Sequence, residues 1–190
     1  MPTAFLAGEP KGKGRPRSTV VRGRPDLPGP RCPWCSGHLA ISHYTPADTE
    51  EAERRIAHQV GTLMRGRGPI QLAEVRITSV SRRPLRLFRK KDPIGLMLAG
   101  VKPDADNVGK LVLDGLQRCR HCGETKRRCR CPGQALPVIQ DDQRVARLYV
   151  ERYYSEIEDR RTQTGKPPRT IIAVDDLEGP GANRRSRTRR

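Results

Sequence analysis

Aromatic side chains are nearly missing from this chain, which has two phenylalanines, four tyrosines and one tryptophan. Hydrophobic residues as a whole reach only 34%, low for a globular protein. A large core is therefore excluded, and about 100–120 residues of packed structure with insertions and tails is what remains. Long apolar runs are lacking as well. Nothing approaches the ~18 apolar residues of a membrane helix. "TAFLAG" near the N-terminus is too short for a signal-peptide core and has no cationic lead-in. The expected location is therefore intracellular, in the cytoplasm, with thiols reduced. Acidic residues are in deficit, 21 against 38 Lys and Arg, giving a formal charge of +17. Such an imbalance points to a polyanionic partner, with nucleic acid first.

What is present falls into blocks. "TAFLAG" reads as an opening strand, and "EPKGKGRPRSTVVRGRP" spaces its cations with Gly and Pro. Lys11, Lys13, Arg15 and Arg17 in that loop suit DNA phosphates. A helix follows from Thr45 or Thr49 as cap, with acidic residues in its first turn and Ala52, Ile56, Val60 and Leu63 as its apolar stripe. "IQLAEVRITSV" alternates imperfectly, and the slip near Ala73–Glu74 predicts a bulge. Segment 82–100 is basic and then apolar, and fits no element. A helix over 107–117, a strand through "DDQRVARLYVERYY" and a last strand "RTIIAVDDL" complete the pattern. The expected class is α/β (α+β), a mixed sheet with two main helices packed on it. One domain spans 1–178, with insertions at about 24–42 and 118–137. The arginine-rich tail 179–190 is expected to be disordered.

Carboxylates gather around one stretch, "KPDADN". Lys102 precedes proline and so favours extended backbone. If that backbone continues to Asp106, Asp104 and Asp106 share a face. Asp106 or Asn107 then caps the helix, and Lys110 stands one turn above Asp106. Asp141–Asp142 heads the next strand. Three carboxylates meeting at a sheet edge repel one another unless a cation joins them, and oxygen-only ligands suit Mg²⁺ or Mn²⁺. Such an ion activates water, and Lys110 stabilises charge on a phosphate. The same spacing equally admits a helix cap, a surface pair of Lys110 with Asp114, and a turn at 141–142.

"KPDADNVGKLVLDGLQ" followed by "DDQRVARLYVERYY" resembles the RusA family of Holliday-junction resolvases. "GEPKGKGRPR" and "YTPADTEEAERRIA" are similar to that family's first strand with its basic loop and its first helix. The resemblance covers roughly 100 residues in the family's order. It implies a RusA-like fold and an Mg²⁺-dependent endodeoxyribonuclease acting as a homodimer on four-way DNA junctions. Carried across, it implies Asp104, Asp106 and Asp142 as metal ligands and Lys110 as the catalytic lysine. Asp141 is a weaker candidate, and Asp114 takes a structural role. A two-fold dimer would present two equivalent sites to opposed strands of a junction. A phage origin fits the family and the compact chain. Forks and flaps are alternative substrates.

The cysteines depart from that pattern. Cys119-x2-Cys122 and Cys129-x-Cys131 suit a closed, structural zinc site that would pin an arginine-rich loop with almost nothing apolar to bury. His121 can replace one sulfur. Cys32 and Cys35, with His38 and His43 nearby, suit either a second zinc or a site shared with the later cysteines. A redox role for "CPWC" lacks the helical context it needs. These insertions also support a different function, that of a non-catalytic, zinc-stabilised DNA-binding protein.

Overall fold

Val75, Ile77 and Val80 in one run, and Ile172 and Val174 in another, are almost wholly buried. Their β-branched side chains suit a pleated, covered surface, and they form the middle of a five-stranded sheet. The computed structural model describes residues 2–14, 17–22, 39–100, 102–131 and 137–177. In chain order the elements are β1 (Thr3–Ala7), β2 (Arg17–Arg22), β3 (Leu39–Tyr44), α1 (Ala47–Leu63), β4 (Ala73–Ser81) and β5 (Met97–Leu98). Then come α2 (Ala105–Leu116), β6 (Val145–Tyr154), β7 (Ile157–Asp159), β8 (Thr164–Gly165) and β9 (Arg169–Asp176). The main sheet has the order β1-β9-β4-β6-β5, while β2–β3 and β7–β8 form separate two-stranded pairs. Of its neighbouring strands, β4 and β6 run parallel and the others antiparallel. A parallel pair needs a crossover, and α2 lies in it. The class is the expected α+β, and the bulge anticipated in β4 is there as a register shift between Ala73 and Glu74.

Both helices sit on the sheet and on each other, burying Ile56, Val60 and Met64 of the first helix segment against Val108, Leu111, Val112 and Leu116. Three expectations need correction. Neither Thr45 nor Thr49 caps α1; Pro46 precedes it, and its carbonyl accepts from the N–H groups of Thr49 and Glu50. Leu63 is 45% exposed, and Met64 takes the buried place assigned to it. Extended backbone stops at Asp104, the N-cap of α2, so Asp106 already belongs to the first turn and neither it nor Asn107 caps. The period-two argument for a shared face therefore fails, because the helix begins at Ala105, two residues before the expected start.

Close approach of the helices depends on Gly115, where an added Cβ would lie 2.8 Å from Ile56 Cβ and 3.1 Å from the Glu53 carbonyl. Beside this contact Arg118 Nε donates to Glu53 Oε2 at 2.8 Å, both side chains 6% exposed. Burial pushes the Glu53 carboxyl above its ordinary range, and Arg118 opposes that push. Segment 82–100, which sequence periodicity left unassigned, is fixed by another buried arginine. Arg83 donates to the carbonyls of Ser155 (2.8 Å), Pro93 (2.6 Å) and Gly95.

Removing one member of a buried pair strands the other charge. Glu53→Ala is expected to lower stability by about 3–5 kcal/mol, whereas the double change Glu53→Met with Arg118→Leu is expected to cost far less. Denaturant unfolding of the two variants checks this, and equal losses would contradict it.

Candidate metal centre and acidic cleft

The chain leaves α2 through Arg118 and folds into a knuckle along α1. Arg120 donates to the carbonyls of Met64 (2.7 Å) and Arg67 (2.6 Å), satisfying acceptors at the end of that helix. Gly61 makes room for it, since a Cβ there would overlap Arg120 Cβ. Further along, Arg54 pairs with Glu124 at 2.8 Å and Arg128 with Glu50 at 3.5 Å. Two tight turns shape the knuckle: Gly123 N–H donates to Cys119 O (2.7 Å), and Cys129 N–H donates to Thr125 O (2.9 Å). Gly123 has φ +69, which favours glycine.

These turns bring four sulfurs together. Sγ of Cys119 lies 3.9 Å from that of Cys131, and Sγ of Cys122 lies 3.6 Å from that of Cys129. All four lie within 4.8 Å of one another, and none is in a disulfide. A tetrahedron with Zn–S bonds of about 2.3 Å has edges of about 3.8 Å, so the set can hold a metal such as zinc. His121 stands outside this ligand group. The neighbouring Cys122 and Cys129 push the Cys131 thiol up to about 12, with burial adding to the effect. Cys32, Cys35 and His38 lie outside the described residues, as does the side chain of His43.

The acidic motif sits elsewhere. Asp104 caps α2 with its backbone, its carbonyl accepting from Val108 N–H at 3.1 Å. Asp106 is 70% exposed and pairs with Lys110 at 2.7 Å. Asp114 pairs with Lys13, which also donates its backbone N–H to Asn107 O at 2.9 Å. The basic loop is thereby laid on α2, and this expected phosphate contact has a carboxylate partner instead. Gly12, Lys13, Lys102, Pro103, Asp104 and Asn107 line an open cleft of ≈ 600 Å³. Lys11 is exposed near it; Arg15 and the side chain of Arg17 lie outside the described residues.

Asp142 begins a short 3-10 turn, Asp142–Arg144, just before β6. Two contacts set its place relative to Asp104. The Leu116 carbonyl accepts from Val138 and Ile139 N–H at 2.9 and 3.2 Å. A Cβ on Gly109 would lie 3.4 Å from Val150 and 3.6 Å from Leu148. α2 therefore runs opposite to β6, with Asp104 at one helix end and Asp142 beyond the other, about 18 Å of helix between them. Among the described residues, the four cysteines are the one group of three or more ligands within metal-binding reach. Asp104, Asp106 and Asp142 do not fit around one magnesium ion within a single chain. The expectation that they meet at a sheet edge took Asp104 to lie on a strand beside the start of β6. Instead β5, which leads to it, pairs with Tyr153 and Tyr154 at the far end of β6.

Two features here had no clear sequence signal. Asp141 keeps a buried Oδ1 with no hydrogen-bond partner. From Val145 to Glu151, β6 has no strand partner on its outer edge among the described residues, and Leu148 and Tyr149 are 42% and 47% exposed there. In comparisons with family models and with curated proteins, nothing matches this chain. No helix among the described residues is long and apolar enough to cross a membrane.

Thiols with raised pKa are protonated near neutral pH, so a metal must displace their protons. Zinc titration of apo protein is expected to saturate at one equivalent at this site, releasing protons as it binds and binding more weakly as pH falls. Calorimetry in buffers of different ionisation enthalpy measures the protons. Undiminished binding by a Cys122→Ser/Cys129→Ser variant would contradict the assignment.

Proposed function

We propose that this chain is a RusA-like, metal-dependent DNA endonuclease that resolves four-way junctions as a homodimer. The observation that carries the reading is the placement of "KPDADN" at the mouth of α2. There Asp104 opens on a cleft flanked by Lys13 and Lys102, with Lys110 one turn up beside Asp106. Cations draw a phosphodiester towards that mouth, and carboxylates there serve a hydrolytic reaction in a way they do not serve simple DNA binding. Structural zinc in the cysteine knuckle holds the loop and leaves the chemistry to the acidic residues.

Two copies supply what one chain leaves apart. Antiparallel pairing of two β6 edges about Tyr149 sets Arg147 opposite Glu151 and Leu148 opposite Val150, so charges and apolar groups match themselves. The same pairing carries Asp142 of one copy towards the end of the other copy's β6, where β5 leads to Asp104. The orphaned Asp141 oxygen beside it is consistent with an acidic group awaiting a partner.

A second reading, a non-catalytic zinc-stabilised DNA-binding protein, is favoured by the cysteine cluster being the only ligand set assembled within one chain among the described residues. Nicking of synthetic four-way junctions, forks and flaps with Mg²⁺ separates the readings. Asp104→Asn, Lys110→Ala and Asp142→Asn are each expected to slow junction cutting by about 10²-fold or more. Mixing and re-annealing the Asp104→Asn and Asp142→Asn proteins is expected to restore nicking at one composite site per heterodimer. Wild-type protein that binds DNA without cutting it in Mg²⁺ or Mn²⁺ would establish the second reading.

A further inference from the structure

We propose that the cysteine knuckle is a second nucleic-acid docking face, built to present cations to a phosphate backbone only when its metal is bound. This goes beyond the nuclease reading and does not rest on it. The arginines of the knuckle divide into two sets. Arg118 and Arg120 are buried, turned inward and engaged with Glu53 and with backbone carbonyls. Lys126, Arg127 and Arg130 are exposed and make no ion pair among the described residues. Arg128 is 66% exposed and only loosely tied to Glu50, at 3.5 Å. Nearby carboxylates are already engaged, Glu124 with Arg54 and Glu53 with Arg118.

The outward cations belong to a stretch, "TKRRCRC", that buries nothing apolar of its own. Its cysteines are what fold it. Four thiolates around a dication carry a formal charge of about −2, which leaves the four outward cations in excess. A second basic patch lies towards the other end of α1. Where the chain turns after α1, Arg65, Arg67 and His121 are exposed and line a cavity of ≈ 290 Å³ floored by glycine backbone at Gly61, Gly66 and Gly68. Guanidinium groups beside unhindered backbone suit a phosphate group.

The chemistry selects nucleic acid over other anionic partners. Protein interfaces need an apolar or aromatic centre, and the described residues of the knuckle expose none. An interfacial membrane segment needs an apolar face opposite its cations, which is equally missing from them. Lysine and arginine on a fixed scaffold, without apolar residues between them, match the regular charge of a phosphodiester chain.

The test uses full-length protein carrying Asp104→Asn, in the absence of Mg²⁺, so that any cleavage is removed from the readout. Affinity for a fluorescent duplex is measured by anisotropy over a NaCl series. With zinc bound, Lys126→Ala/Arg127→Ala/Arg130→Ala is expected to reduce the slope of log K against log[NaCl] by about 2.7, about 0.9 for each phosphate no longer neutralised. Arg65→Ala/Arg67→Ala is expected to reduce it by about 1.8 on the same basis. Removing zinc with a chelator should cost the wild-type knuckle at least the triple-variant decrement, and the triple variant should still bind one zinc. An unchanged slope in both charge variants would overturn the proposal, as would a wild-type slope indifferent to zinc. If the triple change weakened sedimentation with phosphatidylserine vesicles and left the duplex slope intact, the face would be a membrane one and the proposal would fall.

Discussion

Arg118 turns back from the end of α2 and meets Glu53 of α1 in the interior. The arrangement of both helices and of the cysteine knuckle follows from that contact. Gly115 lets the helices approach closely enough for the pair to form, and Gly123 accepts a further bond from the same guanidinium through its carbonyl. Arg120 then fixes the knuckle to the other end of α1. A chain so poor in aromatic residues cannot cement these elements with apolar area alone. It uses long cationic side chains whose donors end on carbonyls and carboxylates. Arg83 does the same for segment 82–100. Each such arrangement is vulnerable to loss of a single partner, because a buried ion without its counterpart is far worse than none.

Two chemically distinct clusters lie apart in the fold, four thiols in the knuckle and carboxylates by the cleft at the start of α2. Sulfur ligands in the knuckle select a soft or borderline ion and close around it. Carboxylates at the mouth of α2 and at the head of β6 would suit a hard cation. Zinc and magnesium would therefore not compete for the same ligands. The four-cysteine cluster is assembled within one chain, while Asp104 and Asp142 lie towards opposite ends of α2.

Much of this was legible in the residues. The β4 bulge could be read from the slip at Ala73–Glu74, and the last strand from "RTIIAV", because alternation is a local signal. The four-cysteine cluster was legible because ligand spacing constrains chelation almost independently of fold. One-turn spacing was less decisive: the surface pair admitted for Lys110 was Asp114, whereas Lys110 pairs with Asp106 and Asp114 with Lys13. What resisted was anything set by tertiary placement. Segment 82–100 has no periodicity, since it is held by distant donors, Arg83 and Arg160, reaching its carbonyls. Lys13 reads as a free phosphate contact until Asp114 is seen beneath it. The convergence expected of Asp104 and Asp142 depended on which end of β6 received β5, and no local pattern records that.

The parallel join of β4 to β6 has a consequence for how the molecule comes into being. The two strands are separated by more than 60 residues, and none of the described residues between them forms a simple hairpin. Closing so long a segment is entropically slow and delays the central ladder. A knuckle clasped by a metal on its four cysteines would shorten that segment's free length before the strands meet. Zinc supply would then set the pace of maturation as well as the durability of the finished protein, and a chain synthesised without it would linger with its central strands unjoined and open to aggregation.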